Sequence, residues 1–245
     1  MRKIFIIIIG AIQLMVLGCI KTNTPPGTSS LNIINAVPTS NLLITNFQGN
    51  GNSKITDTLT YYNSALSIGY GGFVDIGSYS GMTHLSLSQT SDTFSSISNL
   101  TLNLKIGNIY SLFLTGTDTL HVDTLFTKDI IPYYPAVDSV TGVRFVNLST
   151  GSMPVLVTNQ ADTTHTPITG NISYKTVTAF QQLSANTMAQ ANGGYTFEFR
   201  DVASNTILTT VYCPIVPFKN VTVCLIGQPG VFAVVPQSGI LYNNY

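Results

Sequence analysis

Leu31-Asn32-Ile33-Ile34-Asn35 returns 112 residues later as Val143-Arg144-Phe145-Val146-Asn147. Two further stretches keep nearly the same spacing. Gly81-Met82-Thr83-His84-Leu85-Ser86-Leu87 matches Gly193-Gly194-Tyr195-Thr196-Phe197-Glu198-Phe199. Asn108-Ile109-Tyr110-Ser111-Leu112-Phe113-Leu114-Thr115-Gly116 matches Asn220-Val221-Thr222-Val223-Cys224-Leu225-Ile226-Gly227, with the final glycine at an offset of 111. Three matches in order define an internal repeat. Inside each copy the apolar period is two: Leu85 and Leu87, Leu100, Leu102, Leu104 and Ile106, then Tyr195, Phe197 and Phe199. Turn signals at Gly49-Asn50-Gly51-Asn52, Gly71-Gly72 and Asn192-Gly193-Gly194 separate these runs. The expectation is an all-β chain of two tandem Ig-like antiparallel β-sandwich domains, residues 31–129 and 143–245, joined by a linker over 130–142.

The composition agrees. Of 245 residues only 8% are charged, against about 25% in an average domain, while 44% are hydrophobic. Small neutral polar residues replace charge: 32 Thr, 22 Ser and 20 Asn. Thr with the aromatic residues suits pleated strands, and Asn, Ser and Gly suit turns. A net charge of zero without a basic cluster excludes a nucleic-acid partner, which needs a phosphate-neutralising face.

Arg2 and Lys3 precede a 14-residue apolar run from Ile4 to Leu17, too short to span a bilayer, which takes about 20 residues. The run ends in Val16-Leu17-Gly18-Cys19, which resembles the bacterial lipobox. That resemblance implies a signal peptide over 1–18 and lipid attachment at Cys19. Acyl chains there bind a membrane at about 0.8 kcal/mol per buried CH₂. Residues 19–30, rich in Thr and carrying Pro25-Pro26, then read as a lipidated tether. Ile20 stands where an inner-membrane retention signal would place Asp, so the expected location is the outer membrane, on either face.

Ile34-Asn35-Ala36-Val37-Pro38, the turn glycine Gly81, and Gly107-Asn108-Ile109-Tyr110-Ser111-Leu112-Phe113-Leu114 resemble a family of Ig-like domains of unknown function, often in tandem, in cell-envelope lipoproteins of the Bacteroidota. The second copy departs from the pattern, with Leu148-Ser149-Thr150 in place of Ala36-Val37-Pro38. The resemblance implies fold and location and carries no catalytic residues across.

Candidate chemistry is sparse. His84, His121 and His165 are the only histidines, and neither a Gly-x-Ser-x-Gly elbow nor a His-Glu-x-x-His helix occurs. His121-Val122-Asp123 offers two metal ligands on one strand face, too few for a site, and no calcium loop is present. No metal and no cofactor are expected. Cys213 and Cys224 can bridge across a hairpin through Pro214–Lys219 or stay as buried free thiols. Alignment of Cys213 with Leu102 and of Cys224 with Phe113 puts them on different faces and argues for free thiols.

Six of nine aspartates precede Thr or Ser: Asp57, Asp92, Asp118, Asp123, Asp138 and Asp162. This is similar to the O-glycosylation sequon of exported proteins of that phylum, which marks Thr58, Thr119, Thr124, Ser139 and Thr163 as acceptors. It equally suits the preference of Asp and Thr for turns. Tyr61-Tyr62, Tyr70, Tyr79 and Tyr133-Tyr134 are stacking residues for a glycan, or ordinary half-buried strand residues. The expected function is that of a non-enzymatic outer-membrane lipoprotein with two modules for binding or structural roles in the cell envelope. A glycan-binding accessory of an uptake system and a fimbria-like subunit are the alternatives. Its partners are the membrane, through the lipid, and a glycan or another envelope protein.

Overall fold

The computed structural model describes residues 27–38, 42–47, 66–186, 193–230, 233 and 235–244. The chain is all-β, with several open sheets, no closed barrel and no α-helix among the described residues. Among the described residues, eight strands come from the first half: β1 (Thr28–Asn35), β2 (Leu43–Asn46), β3 (Leu66–Ile68), β4 (Phe73–Tyr79), β5 (Gly81–Gln89), β6 (Asp92–Leu104), β7 (Ile109–Gly116) and β8 (Val122–Asp129). Eight more follow: β9 (Val140–Asn147), β10 (Val155–Asn159), β11 (Thr176–Val177), β12 (Gln181–Ser184), β13 (Gly194–Asp201), β14 (Ile207–Pro214), β15 (Asn220–Ile226) and β16 (Ser238–Asn243).

Each half contributes two sheets. The first half has orders β4-β1-β7-β8 and β3-β2-β5-β6, and the second has β11-β9-β15-β16, with β12 also on β9, and β10-β13-β14. Alternation drives the packing. Leu31 and Ile33 of β1, Leu85 and Leu87 of β5, Leu102 and Leu104 of β6, and Leu112 and Leu114 of β7 close one core between the first pair of sheets. Val143 and Phe145, Val155 and Val157, Phe197 and Phe199, and Val221, Val223 and Leu225 close the second. There the Phe145 ring meets Phe197 edge-on at 5.0 Å.

The two halves repeat each other bond for bond at their centres. β1 runs parallel to β7, pairing Leu31 with Tyr110 and Ile33 with Leu112. β9 runs parallel to β15, pairing Val143 with Val221 and Phe145 with Val223. Asn35 and Asn147 end their strands alike: each Oδ1 accepts from the backbone N–H two residues on, Val37 or Ser149, at 3.0 Å. Each Nδ2 donates to a distant carbonyl, Ile68 at 3.0 Å and Ile172 at 3.2 Å. Gly116 and Gly227, at φ 137° and 87°, close equivalent strands, and a Cβ on either would run into a carbonyl oxygen, of His121 or of Pro236.

The structure corrects the sequence reading at three places. β7 and β15 correspond at an offset of 111 throughout, since Ser30 pairs with Ile109 and Gly142 with Asn220, so Asn108 and Asn220 are not counterparts. β1 begins at Thr28, inside the expected tether, because Ser29 and Ser30 join the ladder opposite Ser78 and Gly77. β9 begins at Val140, inside the expected linker, where it pairs with Ser184. Residues Ser238–Asn243 form a closing strand along β15 of the same chain.

Replacing either capping amide strands buried backbone groups at about 1–3 kcal/mol each. Asn35→Ala and Asn147→Ala should therefore destabilise the protein by similar amounts in urea unfolding, and neither loss should be below about 1 kcal/mol.

Candidate functional site at the layer between the halves

A third core lies between the halves. Strand faces that look away from their own cores meet there: Ile34, Ala36 and Phe113 from the first half, and Val146, Leu148, Cys224, Ile226 and Tyr242 from the second. Ile34 and Val146, Ala36 and Leu148, and Phe113 and Cys224 are pairs of counterparts in the repeat, as the strand registers fix. Each half thus buries the same face, as in an isologous dimer, and an approximate twofold axis relates them. Leu125 of β8 and Val177 of β11 both pack against this core, and β4 meets β16 through the Phe73 and Tyr242 rings, 5.5 Å apart.

Arg144 crosses this layer. It stands mid-strand between two core residues, Val143 and Phe145, so strand alternation aims it at the first half. Nη1 donates to Asp129 Oδ1 at 2.7 Å and Nη2 to Asp129 Oδ2 at 2.9 Å. Nη2 also reaches Ser111 Oγ at 3.1 Å and Tyr242 Oη at 3.2 Å, and Nε reaches Thr222 Oγ1 at 2.7 Å. The Phe180 ring covers the guanidinium at 4.9 Å. The Arg144 and Asp129 side chains are 4% and 0% exposed. Burial opposes the charge on Arg144, but the hydrogen bonds and charge of Asp129, with the hydrogen bond to the Tyr242 hydroxyl, outweigh it and hold the group protonated beyond its usual range. Burial pushes the Tyr242 hydroxyl up to about 12, so it stays a neutral partner.

Two hollows open at the layer's margins. One, of about 450 Å³, lies beside Arg144 and is walled by Ile130, Pro132, Val177, Ala179 and Phe180, with Thr127, Thr178 and Lys128. The other, of about 250 Å³, is walled by Asp75, Val216, Lys219, Asn243 and Asn244. The two are related by the approximate twofold: Lys128, opposite Tyr110, is the counterpart of Asn243, opposite Val221.

A second buried charge cluster sits outside the second core. Arg200 donates to Glu198 Oε2 from Nη2 at 2.7 Å and from Nε at 3.0 Å, and Thr158 Oγ1 donates to the same oxygen at 3.0 Å. Burial raises the Glu198 carboxyl, yet Arg200 and Thr158 more than reverse this and hold it below the usual range.

The residues singled out from sequence scatter. Cys19 and Thr58 lie outside the described residues, as do Tyr61 and Tyr62. Thr163 is exposed on a loop, while Thr119, Thr124 and Ser139 are half-buried. Asp92, Asp118 and Asp162 accept backbone N–H groups two to four residues ahead, a turn-forming role for the aspartates themselves. His121 binds Asp118 at 2.9 Å rather than teaming with Asp123, which instead holds Lys175 at 2.6 Å. Among the described residues no three His, Cys, Asp or Glu gather as a metal site.

The Cys213–Cys224 bridge is not formed. Both thiols are free, Cys213 in the second core and Cys224 in the layer between the halves, on opposite sides of a sheet. Burial pushes each thiol up to about 12. Tyr70 packs into the layer and Tyr134 is buried, while Tyr133, 87% exposed, is an open ring on the connection between the halves; the Tyr79 side chain lies outside what is described. The Arg144–Asp129 pair went unread, although its signal was present: a charged residue between two apolar ones where the other repeat copy has Asn32.

Compared with family models and with curated proteins, the chain matches none.

Removing one partner of a buried ion pair strands the other, at about 3–5 kcal/mol. Arg144→Met should lose that much in urea unfolding, and adding Asp129→Leu should restore most of it. The Glu198 carboxyl, depressed in the folded state, adds stability above its unfolded pKa, and that stability is lost as pH falls through the folded value. The melting advantage of wild type over Glu198→Gln should therefore be full at pH 7 and shrink below about pH 4.

Proposed function

We propose that the chain is an outer-membrane lipoprotein, held by lipid on Cys19, whose two tandem Ig-like sandwiches serve without catalysis as one rigid binding or structural unit of the cell envelope. The observation that carries this reading is the buried layer between the halves. A continuous apolar face with an ion pair at its margin makes two halves into one body, which suits a spacer or a platform. The use of charge supports it as well. Arg144 with Asp129 and Lys175 with Asp123 hold elements together, Arg200 with Glu198 braces β13 and reaches β10 through Thr158, and Asp92, Asp118, Asp162 and Asp201 cap turns. Two facing sheets per half, with the first strand parallel to a late one, support the Ig-like assignment. The self-paired β16 favours a closed unit over a fimbrial subunit that exchanges strands. If the Asp-Thr/Ser positions carry glycans, Thr163 has the most room among the described ones.

Cys19→Ser should shift the protein from the membrane to the soluble fraction of the cell; continued membrane association would overturn lipid anchoring. Protease added to intact cells expressing a C-terminally tagged chain then assigns the face. Digestion without lysis means the outside, and protection until permeabilisation means the periplasm.

A further inference from the structure

Strand registers bring one end of each half together. In the first half the Gly27 and Thr28 carbonyls accept from Ser80 and Gly107. Beside them β7 starts, with Ile109 opposite Ser30, and β8 ends, with Asp129 opposite Ile109. In the second half β9 and β15 start together, Gly142 opposite Asn220, and the turn before β15 bonds β9 from Phe218 N–H to the Val140 carbonyl. The two starts lie at the same end of the body. Arg144, mid-β9, reaches Ser111, early in β7, whereas Thr115, late in β7, donates to the Leu148 carbonyl just past β9 at 2.7 Å.

This end carries large apolar side chains on its turns and on the connection between the halves. Ile106, Ile130, Tyr133 and Val137 are between 68% and 87% exposed, and the exposed Phe218 joins them. Lysines accompany them: Lys105 before Ile106, Lys128 two residues before Ile130, and Lys219 after Phe218, all exposed. Asp138 and Asp75 offset part of that charge. The remaining described lysine, Lys175, is held at the far end by Asp123. The far end also exposes apolar residues, but carboxylates stand beside them: Asp92 near Phe94 and Asp118 near Leu120.

The chain enters the fold at the lysine-bearing end. A Cβ on Gly27 would lie 2.8 Å from the Ile106 side chain, so Ile106 packs beside the point of entry. Eight residues separate Gly27 from Cys19, a length that spans at most about 28 Å when fully extended. β1 adds another eight residues, about 26 Å, before the far end is reached. A lipid on Cys19 therefore holds the near end at high effective concentration against the bilayer, and weak contacts suffice to seat it. Single exposed apolar residues are common on any protein surface. Gathered where a lipidated chain enters, and flanked by a tyrosine and by lysines, they match the composition of a face that seats in the headgroup region. We infer that this end of the body docks on the surface of an anionic bilayer. Ile106, Ile130, Tyr133 and Val137 enter the headgroup–acyl boundary, and Lys105 and Lys128 meet lipid phosphates. The inference rests on the Cys19 anchor and adds an orientation to it, with the strands upright and the far end turned outward.

The sequence has no tryptophan, so a single Trp at an exposed position reports depth without background. The chain purified from its membrane is reconstituted into vesicles of phosphatidylethanolamine and phosphatidylglycerol, with or without lipid brominated high on the acyl chains. Ile106→Trp and Ile130→Trp should each lose at least about half their emission to the brominated lipid, and Leu120→Trp, at the far end, none. Lys105→Glu with Lys128→Glu should remove most of the quenching of Ile130→Trp. No quenching at either near-end position, equal quenching of Leu120→Trp, or quenching indifferent to the lysine changes would each overturn the docking. So would a blue shift that grows with protein density without quenching, which means that the end meets a second copy. A chain with Cys19→Ser and a polyhistidine tag in place of residues 1–18, held on nickel-chelating lipid, separates this inference from the anchor. Quenching there, with no membrane association of the native chain, supports the docking face and overturns the lipid at Cys19.

Discussion

The Arg144–Asp129 pair sets how the two halves of this chain meet. Apolar faces alone are permissive. Ile34, Phe113, Val146 and Cys224 could slide past one another by a strand repeat with little change in buried area. A guanidinium that must reach Asp129, Ser111, Tyr242 and Thr222 at once allows one register, because any slip leaves a buried charge unpaired. The pair contributes less to net stability than its short distances suggest, since both groups are taken out of water. Its contribution is uniqueness of alignment, and everything at the margins of the layer, including both hollows, inherits its position from that alignment.

Much of the fold is legible in the sequence, because the physics of a strand is local. Alternation in Leu100–Ile106 and Tyr195–Phe199 names inward faces directly, and the repeat transfers what is clear in one copy to the other. Asn35 and Asn147 show why the repeat motif persists: an asparagine at that position turns the chain and ties it to a carbonyl far along the sequence. Glycine at 116 and 227 persists for a comparable reason, since no side chain fits there.

The layer between the halves was not legible, and the reason is physical. Alternation predicts one buried face per strand, with the other face in water. In β1, β7, β9 and β15 both faces are buried, and the second face carries mixed residues: Asn32, Ser111, Arg144 and Thr222 beside Ile34, Phe113 and Val146. Polarity there resembles a solvent face because the partner is polar as well. The same ambiguity hid the buried amides of Asn32 and Asn244, which are unremarkable in a chain with 20 asparagines and gain meaning only beside their counterparts, Arg144 and Asp129.

The closing strand β16 has a consequence for how the protein is made. Tyr242, the largest fully buried side chain among the described residues, lies on this strand, and it covers Phe73 and Phe113 of the first half. A chain emerging N-terminus first presents the outer face of its first half, Ile34 and Phe113 included, long before anything exists to cover it. Until the second half arrives, through β16, that face is an open apolar sheet surface available to any neighbour, including the same half of another copy. The order of emergence thus gives the earlier-made half the longer exposure, and loss of β16 would prolong that exposure indefinitely.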